Sequence, residues 1–140
     1  MAQVRRSDCP LNISLEIFGD RWTLLIVRDI MLKGRRTFRE FLDGGEGIAS
    51  NVLAERLARL EAHSIVERHG NPQDRRSQIY RLTAKGIELA PVLLEMILWA
   101  ARNEKTAAPR SEVRRMSSQR GAYLLEIRRK WEKERDTEPR

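Results

Sequence analysis

Leu53, Leu57 and Leu60 recur at spacings of four and three within GIASNVLAERLARLE, residues 47–61. That period lays one apolar stripe along a short helix, expected over about residues 49–62. The other positions hold Ser50, Asn51, Glu55, Arg56 and Arg59, with small Ala54 and Ala58 between them. Upstream, Leu11, Ile13, Leu15, Ile17 and Phe18 mark a short first helix ending at Gly19. DRWTLLIVRDIML, residues 20–32, follows with Asp20 placed to cap its start and Trp22, Leu25, Ile26, Ile30 and Met31 at helical spacing. Apolar on more than one side, it is expected to be the central buried helix, stopped by Gly34. TFREFL offers a capping box, in which the Thr37 hydroxyl and the Glu40 carboxylate each take a backbone N–H of the other. The turn DGGEG then leads into the leucine-striped helix.

Downstream the period changes. IVERHG and SQIYRLT are short alternating segments separated by NPQDRR, which predicts a β-hairpin with Arg75 and Arg76 at its tip. A long helix is expected from about residue 83 to 103, kinked at Pro91. KTAAPRS breaks it, and a last helix is expected from about 112 to 134, with Val113, Met116, Leu124, Ile127 and Trp131 along one stripe. The fold class is therefore mainly α with a small β-hairpin (α+β). Residues 1–103 form the principal domain, and residues 104–140 form an additional C-terminal helix and tail expected to serve dimerisation.

Two short helices joined by a glycine-containing turn and followed by a hairpin make a winged helix-turn-helix. Its second helix fits the major groove, roughly 12 Å wide. The leucine stripe would anchor that helix while the opposite face meets base edges. Asn51 offers adenine a donor and an acceptor together, and Ser50 shares the first turn. Ala54 and Glu55 lie on the same helix, and Arg39 precedes it on the capped helix. Arg56, Arg59, Arg75 and Arg76 suit phosphates. A reading helix on a single head discriminates weakly, so a homodimer facing a palindromic site is expected, closed by terminal helices whose apolar stripes a small domain leaves uncovered.

Composition agrees with a polyanionic partner. Of 140 residues, 34% are charged and the formal net charge is +7. The excess does not locate a binding face, because residues 102–140 hold 12 Lys+Arg against 7 Asp+Glu, five of the seven surplus charges. A single cysteine, Cys9, leaves no intramolecular disulfide and suits a reducing cytoplasm. No apolar run approaches the ~18 residues of a membrane span, so no membrane partner is expected. Nor does any glycine loop, Ser-His-Asp or Cys-His grouping, or paired-acid setting point to an enzyme or a cofactor. His63, His69 and one distant cysteine have no metal-ligand spacing.

CPLNISLEIFGDRWTLLIVRDIMLKGRRTFREFL, followed by GIASNVLAERLARLEAHSIVER and YRLTAKG, resembles the HxlR-type transcriptional regulators, relatives of MarR in the winged-helix superfamily. The matching positions are Cys9-Pro10, Gly19 with Trp22, Phe38, Leu53, Arg56-Leu57, Leu60-Glu61, Tyr80, Leu82-Thr83 and Gly86. ELAPVLLEMILWA, ending at Trp99, resembles the family's long dimerisation helix. The resemblance implies a homodimer on operator double-stranded DNA, acting as repressor or activator. It departs at Ala49, where members often have Ser, and after Asn103, where their tails are shorter.

Other readings stand beside these. Some members use a cysteine at the position of Cys9 to sense oxidants or electrophiles, and Arg5 and Arg6 would favour its thiolate; the alternative is a small apolar anchor for the N-terminal arm. Trp22 and Trp99 are core residues or the lining of a small-molecule effector pocket. RRKWEKER, residues 128–135, alternates with acids and is read as a solvated helix face, the alternative being a basic contact to DNA or to an acidic membrane. Arg68 and His69 flank the wing. For the whole chain, the alternative class is a winged-helix protein-interaction module without specific DNA binding.

Overall fold

Helix α1 (Pro10–Phe18) ends at Gly19, whose N–H reaches back to the Leu15 carbonyl at 2.8 Å. Helix α2 (Thr23–Lys33) ends at Gly34, in the left-handed region (φ 70°) that a residue without a Cβ adopts without strain. These elements come from a computed structural model that describes residues 4–136. The Thr37–Glu40 capping box is formed in both directions and opens the short helix α3 (Phe38–Leu42). Helix α4 (Ser50–Ala62) buries the three leucines of its stripe almost completely. They meet Ile26, Val27 and Ile30 of α2, Phe41 of α3, and the Ile65–Val66 entry to the sheet, which together form the main core.

The hairpin pairs β1 (Val66–Asn71) with β2 (Asp74–Leu82) in antiparallel register from Val66 opposite Leu82 to Gly70 opposite Gln78. Beyond that the register shifts, and Asn71 pairs with Asp74 across a two-residue turn, Pro72–Gln73. Arg75 and Arg76 therefore sit just past the turn, in a bulged stretch of β2, rather than at the tip expected from the sequence.

Two expected helices are each divided. The segment 83–103 forms α5 (Ala84–Ile87) and α6 (Ala90–Asn103). Pro91 lies in the first turn of α6, where a missing N–H breaks no intrahelical bond, so it starts a helix and does not kink one. The segment 112–134 forms α7 (Arg110–Ser118) and α8 (Arg120–Asp136), separated at Gln119.

The C-terminal stripe also differs from expectation. Met116 and Tyr123 pack with Leu94 and Leu98 of α6, while Leu124, Ile127 and Trp131 pack against the main core. The Trp131 indole N–H donates to the Leu82 carbonyl at 2.9 Å, and Glu134 pairs with Arg36. The stripe expected to await another subunit is thus covered by its own chain, and residues 104–136 share the core of the preceding domain. Among the described residues no helix is long and apolar enough to cross a membrane.

Candidate nucleic-acid interface

The turn between α3 and α4 is held by a buried carboxylate that the sequence did not advertise. Asp29 on α2 accepts from the Arg28 and Arg35 guanidinium groups, both at 2.8 Å, and Arg28 reaches on to Glu46 in the turn at 3.1 Å. Burial lowers the Arg28 pKa, but its bonds to Asp29 and Glu46 outweigh that and raise it. A Cβ at Gly44 would come within 3.2 Å of Asp29 Oδ2, so the chain passes close to this cluster. The angle between α3 and α4 is therefore tied to the central helix.

Helix α4 starts at Ser50, with Ala49 as N-cap and no side-chain capping bond. The departure at Ala49 leaves the first-turn N–H groups to water or to an anion such as phosphate. Ser50, Asn51, Ala54, Glu55 and Ala58 are all exposed. Ala54, Ala58 and Ala62 fall at four-residue spacing and, with Phe38, Arg68 and Tyr80, line a groove between α4 and the hairpin. The alanines keep that wall low, and Glu61 lines the groove beside Arg68.

Arg56 and Arg59 belong to the other side of α4, a correction to the expectation that they wait for phosphate. Arg56 Nε donates to Asp20 Oδ2 at 2.8 Å and its guanidinium also pairs with Glu55. Arg59 Nη2 donates to the Glu16 carbonyl at 3.1 Å. Burial pushes the Asp20 carboxyl upward, yet bonds from the Thr23 hydroxyl, Arg56 and the Trp22 and Thr23 N–H groups hold it well below the ordinary carboxylate range. These contacts fix α4 against α1 and α2. Asp20 and Glu16 were missed as partners because each lies some forty positions away in sequence, beyond the reach of spacing arguments.

Arg75 and Arg76 are exposed on the wing, and Asp74 accepts from the Arg76 N–H at 3.0 Å, shaping the bulge. Arg39 is exposed on α3 and pairs with Asp43 one turn on, at 3.1 Å. Arg68 lies 3.6 Å from Glu61. His69 Nε2 lies 3.6 Å from Glu67, and His63 is pushed down by burial and by nearby Lys85 and Arg59. No three His, Cys, Asp or Glu side chains converge as metal ligands among the described residues.

Cys9 is exposed at the N-cap of α1. The arginines expected to favour its thiolate are turned elsewhere. Arg6 donates twice to Asn12 Oδ1, at 3.0 and 3.2 Å, and Arg5 lies 4.0 Å from Asp8. Trp22 packs against the core, as expected of an aromatic at helical spacing, but Trp99 is 60% exposed. It continues an apolar strip on α6 with Val92 and Met96, and Leu11 and Leu15 form another on α1.

The HxlR-like helix-turn-helix family matches residues 17–108. The HTH-type transcriptional regulator YodB of Bacillus subtilis is 38% identical over 93 residues, covering 66% of this chain and 82% of YodB. The uncharacterized HTH-type transcriptional regulator sll1512 of Synechocystis is 34% identical over 88 residues, 63% of this chain, and the chain spans 64% of that relative's length. Among solved structures, PA1607 superposes with a TM-score of 0.67 at 33% identity, covering 75% of this chain and 72% of PA1607. The reduced form of YodB gives 0.56 at 36% identity, covering 69% of this chain and 95% of YodB. With its capped α3, its leucine-anchored α4 and its wing all inside the matched span, the chain belongs to the HxlR-like helix-turn-helix family.

Proposed function

We propose that the chain is a sequence-specific, double-stranded DNA-binding transcriptional regulator that works as a homodimer in the cytoplasm. The observation that carries this reading is the polarity of α4: its leucines are buried and its arginines are taken up by Asp20, the Glu16 carbonyl and Glu55, while Ser50, Asn51 and Ala54 are exposed at its start. Such a face has little structural work left and suits base edges in the major groove. Arg75, Arg76 and Arg39 supply phosphate contacts from either flank. The regulators YodB and sll1512 share this helix-turn-helix, which favours the same use here. The apolar strips on α1 and α6 fit a second copy, giving two reading heads and a palindromic site.

Control through Cys9 belongs to the same reading. Its sulfur is exposed, and YodB has been solved in a reduced and in a diamide-treated form. Selection from a random duplex library tests the function. Enrichment of a palindrome with half-sites about one turn, roughly 34–36 Å, apart or a multiple of it supports the reading. A pool that stays random contradicts it.

A further inference from the structure

Helix α8 lies outside the span that matches the family, and its end shares a groove with the wing. The groove holds about 810 Å³, and Gly70, Asn71 and Gln73 of the wing line it together with Arg36, Arg81, Arg135 and Asp136. Trp131 organises this end of the helix. Its N–H is fixed on the Leu82 carbonyl at the wing's base, and its ring carries the Arg135 guanidinium, with Cζ 4.8 Å from the centroid. A guanidinium stacked in this way keeps its edge N–H groups available to a bidentate acceptor. Arg135 forms no ion pair among the described residues, whereas Arg128, over the same ring at 5.7 Å, also pairs with Glu132.

We infer that the end of α8 is a third DNA-contacting element, in which Arg135, presented by Trp131, holds a backbone phosphate beside the wing. The inference rests on the DNA-binding reading above and extends its surface beyond the helix-turn-helix and the wing. Three carboxylates line the groove: Glu40 accepts from the Thr37 N–H and hydroxyl, Glu67 lies 3.6 Å from His69 Nε2, and Asp136 is exposed next to Arg135. Burial, and then the neighbouring Arg36, push the Arg81 guanidinium below its ordinary value, while Glu67 and Glu134 oppose that shift and Glu134 pairs with Arg36. A duplex that places its backbone along the wing tip lies beside the same groove.

The test is anisotropy on a mixed-sequence duplex of about 30 base pairs across a salt series, because phosphate contacts do not depend on sequence. Arg135→Gln is compared with wild type and with Arg129→Gln, a change at an exposed residue that does not line the groove. The expected result is several-fold weaker binding for Arg135→Gln, with a salt slope shallower by about one per subunit. Arg129→Gln should leave both quantities unchanged, and the melting temperatures of all three proteins should agree. A wild-type slope for Arg135→Gln, or an equal loss in Arg129→Gln, overturns the contact while leaving the DNA reading intact. Absence of wild-type binding even at low salt overturns both.

Discussion

Arg56 of the reading helix and Asp20, ahead of the central helix, meet at 2.8 Å with about a fifth of each side chain exposed. Asp20 also accepts from the first N–H groups of α2, so one carboxylate caps one helix and holds another. Arg56→Ala leaves that carboxylate short of a partner in a poorly hydrated place. A loss of about 1–3 kcal/mol in unfolding free energy is expected. A double-mutant cycle with Asp20→Asn should give a clear coupling term in denaturant unfolding, and additive losses would mean that the pair is idle.

The same carboxylate gives stability a pH dependence. Its pKa is lower in the folded chain than its ordinary value of 3.8, so its contribution is complete above that value and fades as the pH falls below it. Unfolding curves between neutral pH and about pH 3 should therefore show the gap between wild type and Asp20→Asn beginning to narrow in acid. A gap of constant size across that range would mean that Asp20 is not held ionised.

On the DNA side, Asn51 and the wing arginines should fail differently. Asn51→Ala is expected to cost about 1–3 kcal/mol on the selected site and to relax preference at one position of each half-site. Arg75→Ala with Arg76→Ala should weaken all duplexes alike and flatten the salt slope. Binding profiles over single-base variants of the site separate the two patterns.

The α6 strip should decide the oligomeric state. Met96→Glu with Trp99→Glu places two carboxylates on positions that are more than half exposed in the single chain, so the fold should survive. Light scattering should report a monomer where wild type gives a dimer, with an unchanged helical circular dichroism signal. A dimeric double variant would move the interface elsewhere.

Oxidation tests Cys9. Diamide should yield a disulfide-linked dimer on a non-reducing gel, absent in Cys9→Ser, and should change affinity for the selected site. Crosslinking with unaltered affinity would remove the redox switch while leaving the regulator.

The local signals in the sequence were reliable where one segment determines its own structure. The Thr37–Glu40 box, the leucine stripe of α4 and the hairpin between residues 66 and 82 all needed only neighbours within a few positions. The partners of Arg56 and Arg59 were not legible, because a guanidinium at helical spacing looks the same facing water, phosphate or Asp20. Pro91 was misread for a related reason: proline favours the first turn of a helix as strongly as it disrupts an interior, and only the break after Ile87 decides between them. The apolar stripe of α8 was visible as a stripe, but not that Trp131 would dock on Leu82, 49 positions earlier.

Sequence-specific DNA binding is tested by anisotropy of the purified protein on the DNA upstream of its own gene, with a scrambled duplex as control, at about 150 mM salt where weak electrostatic binding is screened. Strong preference for the native fragment is expected, lost in Arg75→Ala/Arg76→Ala and reduced in Asn51→Ala. No binding to either duplex, even when the salt is lowered, would contradict it and favour a winged helix that docks on protein.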